Sequence, residues 1–193
     1  MLSSAKPSKC KFCKQRMEVV GHKIHTECVD KWWEDQKAKI QAKKEREQRR
    51  SIRHRKEAIK TIPQLIKEAQ KEFNAYIRER DKDRSCICCG APLNLDSVGG
   101  GYDCGHYRST GSASHLRFDE RNAHAQTKRC NRYGAGRAVD YRVGLIARIG
   151  LEAVEALEAD NIPVKWTRER LTEIKTIYKG KLRNLKWQRE HFG

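Results

Sequence analysis

Cys10-x-x-Cys13 and Cys86-x-x-Cys89 are the most telling spacings in the chain. Two thiols three residues apart share one tight turn and offer two sulfurs to a single ion; four thiolate or imidazole ligands satisfy tetrahedral zinc. His25 and Cys28 follow the first pair as HxxC. Cys10, Cys13, His25 and Cys28 therefore make a closed set of four across a stretch, Lys14 to Lys23, that can form a small hairpin. No open position is implied, so the expected role is structural. His22 is an alternative to His25, though the HxxC pairing favours His25. Cys104 and Cys130 follow the second pair, and Cys86, Cys89, Cys104 and Cys130 would close a second site. That ion would tie a strand to the helix bearing Cys130. Cys88 lies between the paired thiols and should point away, and His124 is the main competitor for the fourth corner.

Between these ligands lie His106, after Gly105, then Asn122, then Asn131 directly after Cys130. A zinc-braced strand presenting a His, an Asn opening a helix and a second Asn after the last Cys is the order of the HNH motif. Phosphodiester hydrolysis accounts for these residue types. A neutral His can activate water near pH 7. A hard divalent cation can stabilise the leaving oxygen, and the amide oxygen of Asn131 can help bind Mg²⁺ with a carboxylate and water. Asn122 can hold the strand and orient the imidazole.

The elements that must position these groups are short. Tyr102 to Tyr107 and His115 to Asp119 are the expected strands, with His115 as scaffold on the second, and the pattern turns helical from about Asn122. Val143, Ile146, Ala147 and Ile149, then Ala153, Val154 and Leu157, predict two packing helices parted at Gly150. Leu65, Ile66, Ala69, Phe73, Tyr76 and Ile77 form one stripe of an amphipathic helix ending near Asp81. Pro63 disfavours helix at Ile62. Upstream, Lys37 to Lys60 holds eleven Lys or Arg against three Glu and reads as a long exposed basic helix. Thr167 to Arg189 reads as another basic helix, with Thr167 as its N-cap. The organisation expected is a head at 1–30, a basic helix or linker at 31–62, a core domain at 63–160 and a C-terminal basic helix at 161–193. The fold class is α+β and mostly helical, a small zinc-bound ββα core flanked by long basic helices and the zinc head.

Composition points to the partner. Lys and Arg total 42 against 25 Asp and Glu, a net charge of +17 that suits a polyanion better than a small acidic substrate. Only 37% of residues are hydrophobic, so several small stapled cores are expected in place of one large one. No secretory start and no apolar run near 18 residues are found, which favours a cytoplasmic protein with reduced thiols over a secreted disulfide scaffold.

The motifs resemble those of the NinG (Rap) family of lambdoid phage recombination proteins. The residues that carry the likeness are Cys10-Lys-Phe-Cys13, Phe73-Asn-Ala-Tyr76-Ile-Arg-Glu-Arg80-Asp81, Cys86-Ile-Cys-Cys89-Gly90, Gly105-His106-Tyr107-Arg108-Ser109 and Leu116-Arg117-Phe118. Asn122-Ala-His124-Ala-Gln126, Cys130-Asn131 and Tyr141-Arg142-Val-Gly144-Leu145-Ile146 with Ile149-Gly150 complete it. The resemblance covers most of the chain and is weakest over 31–60. It implies a structure-specific endonuclease cutting Holliday junctions and D-loops with Mg²⁺ or Mn²⁺. Two departures stand out. The family pattern has a Cys where this chain has Thr127 and Ala where it has Cys104, which suggests a relocated zinc ligand. Many members of the wider ββα-metal class carry Asp immediately before the catalytic His, where this chain has Gly105. The carboxylate must then come from elsewhere, and Asp119 and Asp103 are nearest.

DNA contacts are expected from Lys43, Lys44, Arg49, Arg50 and Arg53 on the basic helix, through sequence-independent phosphate binding. Arg108, Lys128, Arg129, Arg132 and Arg137 surround the site and would clamp the scissile strand. Trp32 and Trp33 are expected to pack between head and helix. Branched double-stranded DNA has approximate two-fold symmetry at a four-way junction, which favours a homodimer; other phage recombination proteins are further partners, and a membrane is not. Two other classes fit the charge and the cysteines. A non-catalytic zinc DNA-binding recombination mediator leaves His106, Asn122 and Asn131 without a role, and an RNA-binding protein is separated by competition between duplex RNA and junction DNA.

Overall fold

Thr61 starts the larger of two structural units. Its backbone N–H donates to Gln64 Oε1 at 2.8 Å, closing a capping box over the first turn of a helix in which Pro63 is tolerated, since early N–H groups have no intrahelical partner. The helix therefore opens at Ile62, one residue earlier than Pro63 implied. The structure, a computed structural model, describes residues 8–18, 22–93, 101–134 and 136–192. It divides into Met1–Lys60 and Thr61–Gly193.

In the first unit, Cys10, Met17 and Cys28 form a small core with Cys13 and Ile24 against it. Part of the expected 14–23 hairpin, residues 19–21, lies outside the described residues. Helix α1, Val29–Ala58, follows with no buried residue. At about 1.5 Å per residue it spans roughly 45 Å of solvated basic surface. Trp32 and Trp33 meet edge-on at 5.0 Å, but Trp33 is exposed, so only Trp32 is half-buried as packing between head and helix requires.

In the second unit, α2 (Ile62–Arg80) buries Leu65, Ala69, Phe73 and Ile77, the stripe that the periodicity marked. They pack on Leu171 and Tyr178 of the C-terminal helix α5 (Arg168–Phe192), together with Cys104, Phe118 and Ala123. The C-terminal helix, expected as a separate basic flank, is thus part of the core domain. Strand β1 (Tyr102–His106) pairs antiparallel with β2 (Ala123–Thr127), Gly105 facing His124 and His106 facing Ala123. Helices α3 (Ala138–Ile149) and α4 (Leu151–Ala159) part at Gly150, whose φ of 86° needs a glycine, and form a second core with Ile87, Ala113 and Leu116. Among the described residues no helix is long and apolar enough to cross a membrane.

The second strand is not His115–Asp119, and the chain is not helical from Asn122. Residues Ser114–Leu116 and Glu120–Asn122 form tight 3-10 turns, and Ala123–Thr127 takes the strand. Its outer edge is finished by other elements. Ala125 N–H donates to the buried Asp81 carboxylate at 2.9 Å, Ala125 accepts from Ile87 N–H at 3.2 Å, and Ala123 accepts from Arg80 at 2.8 Å. A lone two-stranded ribbon is marginal in water, and this one is held by helix ends and by the Cys86 loop.

That loop fits only because α3 carries Gly144 beneath it. A Cβ there would lie 1.8 Å from the Ile87 carbonyl oxygen, a backbone atom that cannot swing aside. Gly144→Ala is expected to destabilise the second unit by about 1–3 kcal/mol or more despite the better helix propensity of Ala. A urea midpoint unchanged from wild type would contradict this packing.

Candidate active site and metal centres

In the head, the ligand atoms of Cys10, Cys13, His25 and Cys28 all lie within 4.8 Å of one another. The antiparallel bridge of Lys9 with Arg16 folds the first turn back, and the 3-10 turn Thr26–Cys28 delivers Cys28. His25 Nδ1 stands 3.3 Å from Cys13 Sγ while Nε2 meets the Arg16 carbonyl at 3.2 Å. A carbonyl only accepts, so Nε2 carries the proton and Nδ1 is left as a ligand, the usual orienting arrangement for a metal-bound imidazole. Burial opposes ionisation of Cys10, yet backbone N–H groups of His25, Cys13 and Phe12 bring its thiol down to about 6. His22 is outside the cluster. This set could bind zinc.

The second cluster joins Cys86, Cys89 and Cys130, again within 4.8 Å, and it too could bind zinc. Burial works against the Cys86 thiolate, but N–H groups of Cys89, Thr127 and Cys88 lower its pKa to about 7. Cys104 is not a member. On β1 it faces α2, inside the Leu65–Phe73–Tyr178 cluster, where burial pushes its thiol far above the ordinary range; it behaves as a small hydrophobe. His124 does not replace it. Its ring is buried edge-on to Tyr141, and burial with Arg80 nearby lowers its pKa to about 3. Cys88 points away, as expected: Gln126 Nε2 donates to its sulfur at 2.9 Å. Two zinc ions per chain are therefore expected by elemental analysis. Cys130→Ser should remove one and Cys104→Ser neither; a zinc loss in Cys104→Ser would overturn this arrangement.

The catalytic candidates lie on and beside β1. His106 Nε2 donates to the Arg117 carbonyl at 3.0 Å, and the ring stacks on Phe73 with centroids 5.9 Å apart. The lone pair is thereby placed on Nδ1. Burial lowers the His106 pKa, so the ring is neutral at pH 7. It lines a pocket with Tyr107, Ser109, Thr110 and Asn131. Asn122 is fully buried. Its Oδ1 accepts from Arg108 N–H at 2.8 Å, and Nδ2 donates to the carbonyls of Arg108 and Leu116. Asn122 therefore fixes the chain leaving β1, while Arg117 orients the imidazole. Asn131 follows Cys130 on a π-helical turn, Arg129–Tyr133, not an α-helix.

Of the two carboxylates, Asp103 is the one beside Asn131, which donates to it at 3.1 Å. Burial raises the Asp103 pKa, but Arg132, at 2.7 and 3.0 Å, and Asn131 hold it below the ordinary range. Asp119 is spent within its own turn, capping Arg121 N–H at 2.8 Å and pairing with that guanidinium. The absence of a carboxylate at position 105 has a steric cause. A Cβ on Gly105 would sit 2.1 Å from Gln126 Oε1, whose amide is anchored on Cys88 and the Gly136 carbonyl. Asp103 and Asn131 thus offer one carboxylate and one amide oxygen, hard donors fit for Mg²⁺ or Mn²⁺.

A family profile described as "Bacteriophage Lambda NinG protein" matches residues 3–189, nearly the whole chain with both cysteine clusters and the His106 site. The chain belongs to the NinG family. "Protein ninG" of Escherichia phage 933W is 38% identical over 205 residues, 94% of this chain and 96% of that protein. Those of Salmonella phage P22 and Escherichia phage lambda are 45% and 44% identical over 135 residues, 70% of this chain and 64% of theirs. No solved structure matches significantly.

Within this NinG-family chain the basic residues have unequal roles. Arg108, expected to clamp the scissile strand, has its guanidinium engaged within the fold. Its guanidinium donates to the carbonyls of Leu157, Glu158 and Asp160 and to Asn161, capping the C-terminus of α4. Arg132 is paired with Asp103 and Arg137 with Asp140. Lys128 and Arg129 lie at the end of β2 and the start of the π turn, Arg129 exposed. On α1, Arg49, Arg50 and Arg53 share one face with Arg46, a residue that sequence reasoning missed, and at 100° per residue Lys43 falls about 60° from Arg46, beside it. At 100° per residue, Lys44 falls about 160° from Arg46, on the opposite side. Also unforeseen are Lys71, Asn74 and Arg78 of α2, which line a pocket with Asp103, Asn131 and Arg132. Their i, i+3, i+7 spacing on the polar side of the helix was the available signal.

Proposed function

We propose that this chain is a metal-dependent, structure-specific DNA endonuclease of the HNH-like, ββα-metal kind, cleaving branched recombination intermediates such as Holliday junctions. The observation that carries the reading is the neutral His106, tethered at Nε2 and lining one pocket with Asn131, which itself touches Asp103. His106 Nδ1 takes a proton from the attacking water, and the imidazolium that forms keeps its hydrogen bond to the Arg117 carbonyl. Asp103 and Asn131 would hold the divalent cation, which when bound would supply positive charge to stabilise the leaving oxygen. Lys71, Arg78 and the α1 stripe contact phosphates without reading bases, as suits an enzyme that recognises branch geometry. Two structural zinc ions, a homodimer matched to the junction's symmetry, other phage recombination proteins as partners and the host cytoplasm complete the proposal.

A second reading has one observation in its favour: Arg132 occupies the Asp103 carboxylate that the cation would use. A zinc-stabilised mediator that binds branched DNA without cutting it would keep that pair. Purified protein incubated with a labelled four-way junction decides between them. Paired nicks that need Mg²⁺ or Mn²⁺ are expected; junction binding without nicks under every metal condition would replace the nuclease with the mediator.

A further inference from the structure

A tetrahedral ion on Cys86, Cys89 and Cys130 needs a fourth corner, and among the described residues the three nearby side chains best suited by chemistry are turned elsewhere. Cys104 is in the α2–α5 core, Cys88 is bonded to Gln126, and His124 faces Tyr141. Thr127 is turned to the Cys86 sulfur. Its Oγ1 lies 3.7 Å from Cys86 Sγ, its N–H donates to that sulfur at 3.3 Å, and Cys130 N–H donates to Oγ1 at 3.4 Å. Zinc–sulfur and zinc–oxygen bonds of about 2.3 and 2.1 Å put a sulfur and an oxygen corner about 3.6 Å apart. The observed 3.7 Å, a hydrogen-bond distance between these two groups, also matches the spacing of such a ligand pair. The local chain agrees: Thr127-x-x-Cys130 repeats the spacing of Cys86-x-x-Cys89, one pair on each of the two turns that enclose the cluster.

We infer that the second zinc centre has three sulfur ligands and one oxygen ligand, the oxygen being the Thr127 hydroxyl or a water molecule that this hydroxyl holds. The inference rests on the zinc reading of the cluster. A neutral oxygen in place of a fourth thiolate leaves the centre with one negative charge in place of two, with the Arg137 guanidinium interacting with the Cys130 thiol and Lys128 and Arg129 just before Cys130 in the chain. It also makes this corner the exchangeable one, open to an added thiolate, whereas the head site is closed by four protein ligands.

The test uses the full chain, zinc-loaded, with Thr127→Cys and Thr127→Val. Elemental analysis should give two zinc ions in the wild type. Chelator-induced release should be biphasic, and Thr127→Cys should slow the faster phase by on the order of tenfold or more, because a soft thiolate replaces oxygen. Cobalt substitution should show stronger sulfur-to-cobalt absorption in Thr127→Cys than in wild type. Thr127→Val separates the two oxygen sources: loss of the second ion identifies the hydroxyl, and retention identifies water. Unchanged release and an unchanged cobalt spectrum in a folded Thr127→Cys would overturn the inference by placing the fourth corner elsewhere. A single zinc ion in both wild type and Thr127→Cys would remove the second zinc centre itself, and the inference with it.

Discussion

His106→Ala is expected to lower junction cleavage by about 10²–10⁴-fold, the usual cost of removing a general base. Zinc content and junction affinity should stay near wild type, because the ring touches neither cysteine cluster and its packing partner is Phe73. His115→Ala is the control. That residue also gives its Nε2 proton to a carbonyl, Asp160 at 2.8 Å, but on a scaffold turn away from the His106 pocket. Asn131→Ala should impair cleavage by a different route, through cation affinity, and part of its defect should return at high Mg²⁺ or with Mn²⁺. The His106 defect should not. The pH profile gives an independent check. Only the neutral ring can accept a proton, and burial lowers its pKa from 6.5. Activity limited by this base should therefore hold as pH falls through 6.5 and decline only at the lower, folded-state pKa. A midpoint above 6.5, or a His106→Ala enzyme as active as wild type, would assign the base to another group.

The second large effect concerns binding. Replacing Arg46, Arg49, Arg50 and Arg53 together by Gln should weaken junction affinity and flatten its dependence on salt. Each phosphate contact contributes about 0.9 to the slope of log K against log salt, so four lost contacts lower it by up to about 3.6. The helix should survive, because none of its residues is buried and Gln has nearly the helix propensity of Arg. Lys44→Gln, on the opposite side, should cost much less. An unchanged slope in the quadruple variant would make α1 a spacer.

Much of this was legible in the sequence because local spacing carries it. CxxC and HxxC place candidate ligands on single turns, so the head cluster and the Cys86–Cys89 pair of the second cluster could be read directly. The α2 stripe was equally readable, since one face is apolar and the other wet. β2 was not. Ala123–Thr127 is enclosed on both faces and lacks β-branched residues before Thr127, so neither alternation nor propensity marks it as a strand. Cys104 and Arg108 were not separable by sequence for a related reason. A buried thiol and a zinc thiolate have the same letter, and an arginine capping carbonyls looks like one awaiting phosphate; only the long-range fold separates them. The choice of Asp103 over Asp119 likewise depends on β1 passing beside the turn after Cys130.

The contact between Gly105 and Gln126 has a consequence for how such chains can diverge. The two positions share one volume across the sheet: the amide fills the space that any side chain at 105 would need. Neither can change first without harm. An Asp at 105 with Gln126 in place collides, and a small residue at 126 with Gly105 leaves a hole and takes from the Gly136 carbonyl its amide donor, leaving only the longer contact from the Cys88 thiol. Descendants that move the carboxylate next to the histidine must therefore alter both sites in one lineage, and relatives should divide into two groups, glycine with glutamine or a side chain with a small partner, with few between. The reversed pair, tested as Gly105→Asp with Gln126→Ala, should be better tolerated than Gly105→Asp alone.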